Sequence, residues 1–272
     1  MIGGGSSERA SDDGQSKIII KSHERWSYRT VDRNRVFVFN EKENFMERFL
    51  IRRDNEVKGF KALGIYGVAG VGKTTLCQLT FNNKQVMNHF FPQIWVCMSK
   101  SPEDVVDYIE EVVQRMRKHR GLRGLLFALR SVLKGRRYLI VLDDAFYIDN
   151  FFDNLWSEPK LEDNCTEKLA LGLPKQQSGA VIVMTWSEEL EKEMVGEENV
   201  HPLLPLQDKS CHEIFEDSSG EKVKQLLNFQ TDHDLEDTFM SKFGGLPLAA
   251  KIMGKIMEQE LTKMPANTTS LD

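Results

Sequence analysis

The sequence predicts an α/β fold: a parallel five-stranded sheet flanked by helices and followed by a small helical subdomain. Three observations carry this. Five short apolar runs lie between residues 62 and 206, each bounded by helix-like or polar sequence. The runs are continuous rather than alternating, as suits strands covered on both faces. The first of them breaks into a glycine-rich turn, GVAGVGKTT, that opens a helix.

Taken in order, residues 1–29 are expected to form a flexible segment, rich at its start in Gly, Ser and Asp. From Glu41 to Arg52, the residues Phe45, Met46, Phe49 and Leu50 recur at helical spacing and predict an amphipathic helix. The five strand candidates are ALGIY (62–66), QIWVCMS (93–99), RYLIVLDD (137–144), AVIVMTW (180–186) and VHPLLPL (200–206). A crossover helix is expected to begin at Ser101-Pro102-Glu103-Asp104. Ser101 can cap it, Pro102 suits its first position and Asp104 favours its positive end. Val105, Val106, Ile109, Val112, Val113 and Met116 make its buried stripe. Beyond Leu206, SCHEIFEDS, EKVKQLLNF, DLEDTFMSKF and LPLAAKIMGKIME read as helices without strands between them. The expected organisation is therefore a nucleotide-binding domain over 30–206, a helical subdomain over 207–261 and a polar tail over 262–272.

Composition bounds the function. The chain of 272 residues is 40% hydrophobic and carries 36 basic against 41 acidic residues, a net charge of −5. No long basic tract appears, which argues against nucleic acid as a partner. Cys77, Cys97, Cys165 and Cys211 form no CxxC pair and are expected to be reduced thiols rather than zinc ligands. The N-terminus has no apolar core of a signal peptide, and no run approaches the ~20 apolar residues that cross a bilayer. A cytoplasmic protein without membrane insertion is expected.

The glycine-rich turn supplies the chemistry. Gly67-Val68-Ala69-Gly70-Val71-Gly72-Lys73-Thr74 fits G-x-x-x-x-G-K-[ST], the P-loop. Backbone N–H groups converge on a phosphate only where side-chain bulk is absent, hence glycine, and a helix N-terminus adds its positive end. Lys73 is expected to reach the β- and γ-phosphates, Thr74 to ligate Mg²⁺, and Thr75 to lie near the α-phosphate. An acidic residue ending a neighbouring strand should complete such a site. YLIVLDD places Asp143 in the Mg²⁺ shell and Asp144 where it can orient or deprotonate an attacking water. The alternative for both carboxylates is a helix cap or a solvated loop.

Three further stretches carry a resemblance. FFPQIWVCMSK (90–100), LPLQDKSCHEIFED (204–217) and Gly244-Gly245-Leu246-Pro247-Leu248-Ala249 follow GVAGVGKTT and LIVLDD in the order found in the NB-ARC family. That family comprises the nucleotide-binding switches of plant disease-resistance proteins, within the STAND class of P-loop NTPases. The resemblance covers roughly residues 30 to 260. It implies ADP in a resting state, ATP in an active one, slow hydrolysis, and Pro247 packed near the nucleotide. Two departures stand out. The family's fourth strand ends Thr-Thr-Arg, the arginine sensing the γ-phosphate, where this chain has Met184-Thr185-Trp186. Tryptophan offers no charged fork, although Thr185 keeps a hydroxyl. The family's Gly-Arg pair is absent from Val36-Phe37-Val38-Phe39-Asn40, although Val36 and Phe37 remain suited to an adenine pocket. A truncated or naturally short member is expected, without the family's later helical part, its Met-His-Asp motif and its leucine-rich repeats.

The expected function is an ADP- or ATP-binding, Mg²⁺-dependent switch in plant immune signalling, at most a weak ATPase, with a protein partner or self-association. The alternative is a non-hydrolysing scaffold for a partner receptor or kinase. A small-molecule kinase is disfavoured because 145–179 is acidic and aromatic where a lid would be basic. That segment suits instead a surface insertion or a partner-binding patch around Phe151, Phe152 and Trp156.

Overall fold

The computed structural model describes residues 29–33, 36, 39–52, 59–98, 121–145, 150–158, 168–175, 179–229 and 241–263. Its centre is a sheet of five strands: β1 (Lys61–Tyr66), β2 (Gln93–Cys97), β3 (Leu139–Ala145), β4 (Ala180–Thr185) and β5 (Val200–Pro202). All pairings are parallel, in the order β2-β3-β4-β1-β5. Four of the five runs expected as strands form over nearly their full length. The fifth pairs over three residues only, because two prolines, Pro202 and Pro205, lack the N–H that would extend the ladder.

Alternate residues of each strand feed two separate cores. Leu63, Ile65, Leu139, Val141, Ile182 and Met184 face one way, and Ala62, Ile140, Leu142, Val181 and Val183 the other. The first face is covered by α1 (Asn40–Ile51), α2 (Lys73–Phe81) and α3 (Lys84–His89), through Met46, Leu50, Leu76, Leu79, Phe81 and Val86. Phe45, on the same helix α1, is left 46% exposed. The second face is covered by α4 (Gly121–Leu133) and α5 (Glu188–Val195). Leu125, Leu126, Leu129 and Leu133 of α4 are all buried, each contributing roughly 1.5–3 kcal/mol to the core.

The expected patch around Phe151 and Phe152 is corrected by this face. Both rings enter the core, at 6% and 1% exposure, beside Leu155 and Leu169. Trp156 alone of the three aromatics is half exposed. The crossover helix expected from Ser101 lies outside the described residues, as does most of DLEDTFMSKF.

After β5, α6 (Asp208–Ser218), α7 (Glu221–Phe229) and α8 (Pro247–Lys263) build a third core from Cys211, Phe215, Val223, Phe243 and Ala250. Gly254 lets α8 approach α6 closely, since a Cβ there would lie 2.8 Å from the Phe215 carbonyl oxygen. Among the described residues no helix is long and apolar enough to cross a membrane.

Candidate nucleotide site

The carboxyl ends of β1, β3 and β4 meet at one edge of the sheet, where open α/β sheets bind ligands. The strand carrying the aspartates is not the direct neighbour of the P-loop strand: β4 is inserted between them. Beside this edge lies a cavity of about 700 Å³, within the range of small-ligand pockets.

The P-loop sits between β1 and α2. Gly70 and Gly72 adopt φ values of 82° and 103°, open to glycine and strained for other residues. No side chain caps α2, whose first N–H groups are left to a ligand. The glycines also serve the chain's own packing. A Cβ on Gly72 would lie 2.5 Å from the Phe39 ring, one on Gly70 3.1 Å from Leu248 Cβ, and one on Gly67 2.6 Å from the Leu203 carbonyl oxygen. The loop is therefore shaped by contact with Phe39 and Leu248, which line the same cavity.

Lys73 is nearly buried, and its ammonium donates to the carbonyls of Gly67 (2.6 Å) and Val68 (3.2 Å). Burial lowers its pKa, and Asp144 and then Asp143 pull it back up. Thr74 Oγ1 donates to Asp143 Oδ1 at 3.1 Å. These two oxygens form a hard donor pair that suits Mg²⁺, completed by phosphate and water. Among the described residues no group of three or more His, Cys, Asp or Glu is placed to hold a metal ion. Asp144 adopts a left-handed φ of 60°, and its Oδ1 accepts a hydrogen bond from Trp186 Nε1 at 2.9 Å.

The cavity wall gathers Gly70, Gly72, Lys73, Thr74, Thr75, Asp143, Asp144, Val36 and Pro247 from the residues singled out in the sequence. Gly67, Val68, Val71 and Thr185 do not line it. Val68 is 54% exposed, and Val71 is wholly buried in the first core. The Thr185 hydroxyl is spent on a turn, donating to the Ser187 carbonyl (2.7 Å) and accepting from the Ser187 amide (3.1 Å). Phe37 lies outside the described residues.

Sequence reasoning missed the strap Thr30, Val31 and Asp32, which closes one wall. Its start is tied to the turn after α2 and its end to Glu43 of α1, which that turn also contacts. Asn82 Nδ2 donates to the Arg29 carbonyl at 2.5 Å, and Asn83 Nδ2 donates to Glu43 (3.1 Å) and Glu47 (2.7 Å). Glu43, 4% exposed, pairs in turn with Arg33. Asn83 Oδ1 meanwhile caps α3. The Asn-Asn doublet is the sequence signal for this clasp. Gln78 was also missed, one turn beyond Thr74 on α2, as were Ile214 of α6 and Leu248 and Lys251 of α8. The Leu248 amide donates to the Gly70 carbonyl at 3.3 Å, tying the helical subdomain to the P-loop. Beneath the site, Glu191 of α5 is fully buried against β1 at Gly64, beside Ile65 and Thr185. Burial drives its pKa well above the carboxylate range.

The NB-ARC domain model matches residues 41–225, more than half of the chain. The probable disease resistance protein At4g19060 of Arabidopsis thaliana is 32% identical over 270 residues, covering 78% of this chain and 70% of that protein. At5g45490, another probable disease resistance protein of the same plant, is 28% identical over 296 residues, covering 92% and 81%. Among solved structures, the ORC2 protein of Aeropyrum pernix, in ADPNP and ADP complexes, matches with a TM-score of 0.49 and 15% identity, covering 85% of this chain and 72% of that one. A P-loop at the end of β1, an Asp143–Asp144 pair at the end of β3 and a family match spanning both lead to one conclusion: the chain belongs to the NB-ARC domain family.

Proposed function

We propose that this chain is a cytoplasmic ADP/ATP-binding switch of the NB-ARC type in plant immune signalling, with hydrolysis slow or impaired. The observation that carries it is the cavity itself. One wall offers the uncapped N-terminus of α2, Lys73 and the Thr74–Asp143 pair for phosphates and Mg²⁺. Another offers Val31, Val36, Phe39 and Pro247, which suit a purine ring. Bound Mg²⁺ would neutralise charge on the phosphates, with Thr74 and Asp143 as its protein ligands. Pro247 and Leu248 stand on α8, so nucleotide contacts reach the helical subdomain directly. That linkage is what a switch requires, since a ligand shifts only those equilibria in whose states it makes different contacts. The disease-resistance naming of the relatives supports the immune setting.

One observation favours the scaffold alternative: Trp186 engages Asp144, the carboxylate otherwise placed to orient water. Calorimetric titration with Mg-ADP and Mg-ATP, followed by phosphate release over hours, tests the proposal. Binding that is lost in Lys73→Ala, with turnover well below 1 per minute, is expected. Absence of nucleotide binding would refute it, and rapid turnover would refute its hydrolysis clause.

A further inference from the structure

The cavity is polarised by the topology of the sheet. Because β4 runs between the P-loop strand β1 and the acidic strand β3, the residue that follows β4 shares the cavity wall with Lys73 and the aspartates. That residue is Trp186, 54% exposed although its ring is among the largest apolar side chains. Its indole N–H is already committed to Asp144 Oδ1 at 2.9 Å. Asp144 is itself held in a left-handed conformation within a register irregularity between β3 and β4, which spans Leu142 to Ala145. Two features that cost free energy, an exposed indole and a strained aspartate, thus meet at one point of the cavity wall.

We infer that the Trp186–Asp144 pair is the selectivity element of the site, accepting a nucleoside diphosphate and turning away the third phosphate. This rests on the cavity being a nucleotide site. The two phosphates of a diphosphate are served by the α2 N-terminus and by Lys73, whose ammonium lies under the loop at Gly67 and Val68. A third phosphate shares Lys73 with the second and extends toward the strand ends. There it meets a carboxylate and a neutral ring whose single N–H donor is spent. Compensation is scarce. Among the described residues lining the cavity the cations are Lys73 and Lys251, against Asp32, Asp143 and Asp144, and no arginine is present. Lys251 belongs to α8, one turn beyond Pro247, whereas Trp186 and Asp144 follow β4 and end β3. Mg²⁺ held at Thr74 and Asp143 offsets part of the repulsion for either nucleotide, so discrimination falls on Asp144.

Two variants of the full chain test this. Trp186→Arg replaces the spent donor with a charged one. Asp144→Asn removes the charge, keeps an oxygen for the indole N–H, and places at φ 60° a residue that tolerates it. For each protein the affinities of Mg-ADP and of the non-hydrolysable Mg-adenylyl imidodiphosphate are measured calorimetrically and expressed as a ratio, which is insensitive to the active fraction. The wild type is expected to prefer ADP by at least tenfold, and both variants to bring the ratio within threefold. Equal affinities in the wild type, or an ADP preference unchanged in both variants, would overturn the inference while leaving the nucleotide site standing. Failure of the wild type to bind either ligand would remove the site and the inference together.

Discussion

Gly72→Ala separates the two demands made on the P-loop glycines. The new Cβ would lie 2.5 Å from Phe39 Cζ and 3.0 Å from Cε2, well inside van der Waals contact. Phe39 is 2% exposed and packed in the first core, so its ring cannot swing away freely. Overpacking of this kind costs about 1–3 kcal/mol. Alanine at a φ of 103° adds a backbone penalty of about 1–2 kcal/mol. The sum, roughly 2–5 kcal/mol, corresponds to a fall in Tm of roughly 4–20 °C for a domain of this size. Phe39→Ala removes the clash while itself costing about 3–5 kcal/mol of lost burial. The double variant should therefore be less destabilised than the sum of the singles by about 1–3 kcal/mol. Urea unfolding without nucleotide reads both quantities. A Gly72→Ala cost below about 1 kcal/mol, or a fully additive cycle, would refute the view that the loop is shaped by packing against Phe39.

Other expectations follow from the same geometry. Asn83→Ala removes the cap of α3 and two hydrogen bonds to carboxylates, and is expected to cost about 2–4 kcal/mol in urea unfolding. It should also weaken Mg-ADP binding severalfold by releasing the strap; undiminished affinity would show that the strap does not bear on the ligand. Glu191 has a folded-state pKa raised by burial, so the folded chain keeps a proton that the unfolded chain releases above about pH 4.5. Its contribution to stability is accordingly lost as pH rises through that range. Glu191→Gln should raise Tm at pH 8 relative to the parent and lose that advantage near pH 4, and equal Tm differences at both pH values would contradict the assignment. Val68→Ala, at an exposed tip off the cavity wall, should change stability by under about 0.5 kcal/mol, and a larger loss in urea unfolding would show hidden packing.

What the sequence disclosed was local. Continuous apolar runs mark strands covered on both faces, and the P-loop pattern fixes its own strand, turn and helix. Met46 and Leu50 announce the buried side of α1 by spacing alone. What it withheld depends on distant pairing. Nothing near Ala180 tells that β4 enters between β1 and β3, and so nothing near Trp186 tells that its indole reaches Asp144. The strap is likewise tied by Asn82 to Arg29, with |i−j| of 53. Phe151 and Phe152 were misjudged because their acidic neighbours mask an apolar plug whose core partners, Leu155 and Leu169, are visible only in three dimensions. Glu191 had a local signal after all: it shares a face of α5 with Leu190, Met194 and Val195, where a charge is anomalous.

The claim that binds these observations together is that Lys73 and its loop hold an adenine nucleotide. Protein purified without added nucleotide, then denatured and its supernatant resolved by ion-exchange chromatography, tests this most directly. Near-stoichiometric ADP from the wild type and none from Lys73→Ala is the predicted result. An empty wild-type site that also refuses added Mg-ADP and Mg-ATP would contradict it.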